Sequence, residues 1–99
     1  MPVYGRYEGE FKNGKKHGKG KFIGKDGSIY EGEFENDDRK GHGTLNYPDK
    51  KIYKGEFKRN KPNGYGIMRK VTGSFSEGKW IDGRFMIEGA RKSIYNYQS

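Results

Sequence analysis

Hydrophobic and polar residues alternate in two short stretches near the start of the chain. The first stretch, residues 7–11, reads YEGEF and places its tyrosine, glycine and phenylalanine on one side and its glutamates on the other. The second, residues 18–22, reads GKGKF and alternates in the same way. A period of two is typical of a half-buried β-strand. Because Asn13-Gly14 between them is a tight-turn dipeptide, the pattern predicts a β-hairpin.

This hairpin recurs along the chain with a period of 23 residues. Three of its positions return without insertion or deletion: Gly9, Gly32, Gly55 and Gly78; Phe11, Phe34, Phe57 and Trp80; Gly20, Gly43, Gly66 and Gly89. Fixed self-similarity at such a period indicates stacked repeats. We predict one domain over residues 1–99, with copies at 7–29, 30–52 and 53–75 and an eroded capping copy at 76–99. In this last copy Ser76 replaces the tyrosine and Ile87 replaces a glycine.

Short turns join the predicted strands. The turns within hairpins are predicted at Asn13-Gly14, Asn36-Asp37, Asn60-Lys61 and Asp82-Gly83. The turns between hairpins are predicted at Asp26-Gly27, Asp49-Lys50 and the eroded Thr72-Gly73. Strands joined in this way pair in chain order, which predicts an all-β fold, a single-layer antiparallel meander of about eight strands extending ~40 Å. Tyr4-Gly5 is expected to add a partial strand in front, and Tyr95 and Tyr97 a last strand or cap.

A register follows from placing every ring opposite a glycine or another apolar residue. Within the first hairpin, the predicted pairs are Phe11 with Gly20, Gly9 with Phe22, and Glu10 with Lys21. Between the first two hairpins, they are Phe22 with Tyr30, Ile23 with Ile29, and Lys21 with Glu31. This register gathers the rings on one face and leaves charge pairs and isoleucines on the other.

Composition agrees with a β-array. The chain has 17 glycines, 29% hydrophobic residues and only one leucine and one alanine, which argues against helical repeats. It has no cysteine, so thiolate chemistry and disulfides are excluded. No apolar run reaches the length of a membrane span, so we expect a cytoplasmic protein, one that can still associate with membranes or the cytoskeleton.

The pattern Tyr-x-Gly-x-Phe/Trp followed by Gly-x-Gly on this period resembles the MORN repeat (membrane occupation and recognition nexus). The resemblance covers residues 7 to about 89. It implies stacked hairpins curled into an elongated sheet with a groove. The resemblance also implies a scaffold or adaptor role, sometimes as a dimer. It further implies possible contact with acidic phospholipids, or service as the regulatory targeting domain of a larger enzyme. The fourth copy departs from the pattern at Ser76 and Ile87.

The aromatic stripe is the predicted partner-binding groove. It comprises Tyr7, Phe11, Tyr30, Phe34, Tyr53, Phe57 and Trp80, with Phe22, Leu45 and Met68 between them. Each ring taken singly is better explained as core. A single-layer sheet, however, is expected to leave part of such a stripe open to an amphipathic helix or extended peptide. The two free sheet edges and the terminal copies also make a homodimer plausible.

Basic residues provide an alternative binding surface to the aromatic groove. The net charge is +8, and the first copy carries the lysines considered for contact with anionic phospholipid: Lys12, Lys15, Lys16, Lys19 and Lys21. A solvated surface mixed with glutamates is the preferred explanation of these lysines, ahead of contact with lipid. Nucleic acid is a less suitable partner, because acids interrupt the basic residues.

Nothing in the sequence indicates catalysis or a cofactor. His17 and His42 occupy different positions of the unit and are accompanied by no cysteine, so a metal site is not expected. Gly18-x-Gly20 lies within a strand, whereas a phosphate-binding loop needs a helix after its glycines. The sequence therefore predicts a non-catalytic interaction module.

Overall fold

Successive hairpins build one sheet in which each strand pairs with the next strand of the chain. The computed structural model describes residues 5–87 and the backbone of 91–92, and all its regular structure there is β. The strands are β1 (Gly5–Lys12), β2 (Lys15–Gly24), β3 (Ile29–Glu35), β4 (Asp38–Asn46), β5 (Ile52–Lys58), β6 (Lys61–Arg69), β7 (Phe75–Ile81), β8 (Arg84–Phe85) and β9 (Arg91–Lys92). Strands β1 to β8 follow one another in antiparallel order, and β9 also pairs with β7. The predicted antiparallel meander is confirmed.

The sheet measures 48 Å along its longest axis, with 23 and 19 Å along the other two. This length agrees with the ~40 Å expected for about eight strands. Of the partial strand predicted at Tyr4-Gly5, Gly5 is the first residue of β1 and pairs with Gly24. Tyr4 and the tail tyrosines Tyr95 and Tyr97 lie outside the described residues.

The register between hairpins is confirmed. Phe22 lies opposite Tyr30, and on the other face Lys21 lies opposite Glu31 and Ile23 opposite Ile29. The next junction repeats the arrangement, with Leu45 opposite Tyr53. The apolar side chains of one hairpin therefore align with those of the next, and the charged side chains on the other face align in the same way.

The predicted register within the hairpin was wrong. Phe11 lies opposite Lys16 rather than Gly20, and Gly9 lies opposite Gly20 rather than Phe22. Glu10 does not pair with Lys21. The two-residue turn pairs Lys12 with Lys15 and thereby sets the partner of Phe11. A bulge in β2 then shifts the register between Gly9 and Phe11, and the same shift recurs in the next two hairpins.

One consequence of the observed register is a row of glycines that crosses the whole sheet. Its members face one another in turn: Gly9, Gly20, Gly32, Gly43, Gly55, Gly66 and Gly78. A Cβ added to Gly43 would lie 2.5 Å from ring carbons of Tyr30. The row is therefore the backbone floor on which the tyrosine rings lie.

The turns within hairpins use two residues of positive φ each. These residues are Asn13 and Gly14, Asn36 and Asp37, Arg59 and Asn60, and Asp82 and Gly83. The third turn is thus one residue earlier than the predicted Asn60-Lys61. Asn60 takes the second turn position, as Asp37 does one unit before, and Asn is among the residues that tolerate this conformation best.

Adjacent hairpins are also joined at these turns. The Lys16 amide donates to Oδ1 of Asp37 at 2.8 Å, and the Arg39 amide donates to Oδ1 of Asn60 at 2.9 Å. At the third junction Pro62 has no amide hydrogen and Gly83 has no side chain, yet the Gly83 amide still donates to the Pro62 carbonyl at 2.8 Å. The third junction therefore lacks both the backbone amide donor and the side-chain acceptor that bond to each other at the first two junctions, so neither is left without its partner.

Candidate interaction site

The aromatic rings form one continuous row of edge contacts across the hairpins. Neighbouring centroids are 5.0 to 5.3 Å apart, and most ring pairs are close to perpendicular. The order along the row is Phe11, Tyr7, Phe34, Tyr30, Phe57, Tyr53, Trp80 and Phe85. Each tyrosine thus contacts two rings: the phenylalanine of its own unit, and the phenylalanine or tryptophan that occupies the phenylalanine position in the next unit. Such geometry is favourable for aromatic quadrupoles.

Most of this row is core rather than open groove. Tyr30, Phe34, Tyr53 and Phe57 are no more than 5% exposed, and Leu45 and Trp80 are also buried, at 6% and 5%. Tyr7, Phe22 and Met68 are partly buried, while Phe11 is 61% exposed. The expectation that a single layer leaves the central rings open was wrong. The stripe is narrow, and neighbouring units together with the glycine floor cover it.

Polar atoms in the row find backbone partners. The hydroxyls of Tyr7, Tyr30 and Tyr53 each donate to the carbonyl three residues later, at 2.7, 2.8 and 3.0 Å. The Trp80 indole donates to the Gly66 carbonyl at 3.1 Å. Burial raises the pKa of both Tyr30 and Tyr53 to about 12. Both hydroxyls therefore stay neutral at physiological pH.

Arg39 covers the middle of the ring row. Its guanidinium carbon lies 5.6 Å from the Tyr30 ring centroid and 5.7 Å from that of Phe57. Its Nη2 donates to the Asn60 carbonyl at 2.6 Å. Desolvation lowers the pKa of Arg39 from its usual high value, but the side chain stays charged. This cation–π contact adds further cover to rings that the sequence suggested were open.

One shallow, open groove lies on the opposite, charged face, near the within-hairpin turns. Its volume is about 810 Å³. By strand alternation, its side chains come from the positions between the rings: His17, Lys19, Glu33, Glu35, Lys40, His42, Glu56, Lys58 and Asn63. Phe34, Phe57 and the glycines at 18, 41 and 64 complete the lining. The groove therefore repeats the same unit positions in three consecutive copies.

Charges in this groove are only partly paired. Nζ of Lys40 lies 2.7 Å from Oε1 of Glu35, and the hydrogen bond between them holds the pKa of Glu35 below its usual value. His42 lies 3.6 Å from Glu56. In the part of the chain that the structure describes, Lys19 and Lys58 have no carboxylate within ion-pair distance. The groove consequently offers two available ammonium groups.

A glutamate closes each bulge beneath the groove. Oε1 of Glu33 accepts the His42 amide at 2.8 Å, beside Gly41, whose φ is positive. Glu10 and Glu56 repeat this contact with the Lys19 and Tyr65 amides, at 3.4 and 3.2 Å. The carboxylate takes an amide that the bulge leaves without a ladder partner. In the fourth copy the positions of this glutamate and glycine are occupied by Lys79 and Ile87.

Comparison with known families decides the classification. The MORN repeat model matches residues 7–29, 30–51 and 53–75, about two-thirds of the chain. The chain belongs to the MORN repeat family. MORN repeats are non-catalytic units that generally serve as interaction or membrane-associated modules. The match stops before the fourth copy, and no curated protein matches the chain.

The described residues of this MORN array contain no cluster of His, Cys, Asp or Glu side chains suited to a metal ion. They also contain no helix that is long and apolar enough to span a membrane.

Several groove residues were missed by sequence reasoning. The sequence suggests only a metal-ligand role to be excluded for His17 and His42, and it does not single out Lys40 or Glu35. The available signal was their place in the MORN unit: His17 and Lys40 precede the bulge glycine, and Lys19 and His42 follow it. Side chains on either side of a bulge are directed together by the local twist.

The lysines of the first MORN unit are dispersed by the fold. Lys12 and Lys15 flank the first turn, and Lys19 and Lys21 lie on the charged face opposite Glu33 and Glu31. Lys16 lies on the ring face, with its Nζ 5.7 Å from the Tyr7 centroid and 3.7 Å from Asp37. These five side chains therefore do not form one patch.

Proposed function

We propose that this protein is a non-catalytic scaffold module that holds a segment of a partner protein in the charged-face groove. The observation that carries the proposal is the groove of about 810 Å³ spanning three repeat units. Clefts of this size are where proteins bury short peptides and other ligands. Phe34 and Phe57 also line the groove, although their rings are buried, and the charged side chains around them suit an amphipathic segment.

Charge specifies the partner further. Lys19 on β2 and Lys58 on β5 are separated by three strand spacings, roughly 14 Å. Because neither has a carboxylate partner among the residues that the structure describes, a segment with acidic residues at that separation would neutralise both. We therefore infer an amphipathic, acidic peptide, bound either as a helix across the strands or in extended form.

Selection from a displayed library of random peptides tests this proposal. Acidic amphipathic sequences should be enriched, and their affinity should fall about tenfold or more for the double variant Lys19→Glu/Lys58→Glu. The matched control is Lys25→Glu/Lys50→Glu, which makes the same change in net charge in the loops between hairpins. Equal loss of affinity in both folded variants would show attraction by overall charge and would contradict a groove.

Substitution of the rings is not a clean test of groove binding. Phe34 and Phe57 are 5% and 3% exposed, so their replacement by alanine would report on folding before it reported on a partner. Contact between these rings and a partner stays a prediction, to be approached through the lysines of the rim.

Anionic phospholipid is a second candidate, and the edge formed by the within-hairpin turns is the surface that favours it. The first turn carries Lys12 and Lys15, and the third carries Lys58, Arg59 and Lys61. Glu35, Asp37 and Asp38 lie between these two groups, at the second turn. Attraction to a lipid surface would thus come from separated basic turns and be weak.

A further inference from the structure

The permanent charges that line the charged-face groove cancel one another. They come from three lysines and three glutamates: Lys19, Lys40 and Lys58; Glu33, Glu35 and Glu56. The lining also contains His17 and His42, which are the two histidines of the chain. Histidine is the side chain whose charge ordinarily changes between pH 5 and 8. The sign of the groove around neutral pH therefore depends on its histidines.

The lysines and the glutamates of the groove differ in their access to a ligand. All three lysines are exposed, whereas all three glutamates are half-buried. Glu33 and Glu56 accept backbone amides at the bulges, at 2.8 and 3.2 Å, and Glu35 is bonded to Lys40. Because the carboxylates are held by groups of the protein itself, a segment that enters the groove meets its cations first.

His42 lies at the surface of the groove, on β4. Its side chain is 76% exposed, and its Nε2 lies 3.6 Å from Oε2 of Glu56. By strand alternation, the other charged side chains around it on this face are Glu31 and Glu33 of β3, Lys40 of β4, and Lys54 and Lys58 of β5. A proton on His42 would offset the nearest carboxylate and add a positive charge where a ligand would lie.

His17 lies in the same groove, one unit earlier, on β2. By strand alternation, the charged side chains around it are Glu10 and Lys12 of β1, Lys15 and Lys19 of β2, and Glu33 and Glu35 of β3. The pKa of Glu35 is lowered first by its hydrogen bond with Lys40 and further by the charges of Lys40, His17 and Lys12. His17 is therefore within electrostatic range of a carboxylate that Lys40 already neutralises, and the charge gained by His17 is left for a ligand.

We propose that His17 and His42 are a pH switch on the groove, which binds an acidic segment more tightly as pH falls from about 7.5 to 5.5. The switch rests on the proposed function, because it concerns the same groove and the same acidic class of partner. Protonation of both histidines takes the lining from balanced charge to an excess of two positive charges. The carboxylates of the partner stay ionised in this range, since aspartate ordinarily titrates near 3.9 and glutamate near 4.3.

A fluorescent, N-acetylated peptide of alternating aspartate and leucine residues is the probe. In an extended peptide, aspartates four residues apart are separated by ~13 Å, close to the roughly 14 Å between Lys19 and Lys58. Anisotropy titrations with the full chain at constant ionic strength should give a dissociation constant about tenfold lower at pH 5.5 than at pH 7.5. A control peptide with asparagine in place of every aspartate should show no such difference.

Two double variants fix the groove in either state. His17→Gln/His42→Gln should keep the wild-type affinity at pH 7.5 and lose the tightening at pH 5.5. His17→Lys/His42→Lys should bind tightly at both pH values, because its added charges do not titrate in this range. Circular dichroism would establish that both variants are folded.

The outcomes separate the switch from the groove. Equal binding at the two pH values, weaker binding at pH 5.5, or tightening that survives in His17→Gln/His42→Gln would overturn the switch and leave groove binding intact. Failure of the folded chain to bind the probe at either pH would contradict the proposed function itself, and the switch with it.

Discussion

Phe11, Phe34 and Phe57 occupy the same position of three consecutive units, yet the first is 61% exposed and the others are 5% and 3% exposed. The local sequence does not explain the difference, because the surrounding pentapeptides are nearly identical. What differs is the preceding unit, whose tyrosine packs edge-on against Phe34 and Phe57. In this array a ring becomes core only when a neighbouring hairpin covers it.

The fourth copy allows the same comparison at the other end of the array. Trp80 keeps the position of Phe34 and Phe57 and is buried, because Tyr53 of the third unit packs against it. Next to Trp80, the copy carries Lys79 in place of the glutamate, and further along Ile87 in place of the bulge glycine; β8 is two residues long. The neighbouring unit therefore keeps the ring buried even in a copy that lacks the paired bulge residues.

Alanine at the two kinds of ring position should give the largest contrast. We expect Phe34→Ala to lower the free energy of unfolding by about 3–5 kcal/mol, because it leaves a cavity between two tyrosines. Phe11→Ala should cost less than about 1 kcal/mol. Urea denaturation followed by tryptophan fluorescence measures both. Similar losses at the two positions would mean that burial does not distinguish them.

Alkaline pH should weaken the central units next. Burial raises the pKa of Tyr30 and Tyr53 to about 12, above the value of about 10 for an unfolded tyrosine. Their contribution to stability is complete below pH 10 and is lost as pH rises towards 12. Thermal melts across this range should show the loss, and Tyr30→Phe should reduce its slope. An unchanged slope in this variant would contradict the assignment to Tyr30.

The bulge glutamates should show a smaller contrast. Glu33→Gln replaces the charged acceptor of a 2.8 Å hydrogen bond with a neutral amide oxygen and should cost about 1 kcal/mol. Glu10→Gln, at the exposed first unit with a 3.4 Å contact, should cost less than half as much. Denaturant titration of the two single variants makes the comparison. A greater loss at Glu10 would show that the edge unit is held more tightly than the central ones.

Lipid binding should be the smallest effect. Liposomes containing phosphatidylserine or phosphoinositide should retain the protein weakly at low salt and release it as the screening length falls from ~10 Å towards ~3 Å. Replacing Lys12, Lys15, Lys16 and Lys19 with glutamine should remove only part of this binding, because the third turn keeps Lys58, Arg59 and Lys61. Sedimentation would quantify the loss. No binding at low salt by the folded wild type would remove the lipid hypothesis, and binding that resists salt would indicate an apolar contact.

Residue pattern alone determined the strands, the repeat boundaries, the face carrying the rings and the register between hairpins. Alternation assigns Tyr30 and Phe34 to one face, and the matched pair Phe22 and Tyr30 aligns one hairpin with the next. Both signals are local or periodic, so they can be read without knowing how the chain curves.

The tertiary structure decided the register inside each hairpin, the burial of the rings and the face that carries the groove. A bulge at a glycine such as Gly41 depends on its φ and on Glu33 accepting the next amide, neither of which follows from alternation. The exposure of Phe11 and the cover over Phe34 depend on which hairpin lies alongside. Burial is a property of contacts between units, and residues with the same local sequence therefore end in different environments.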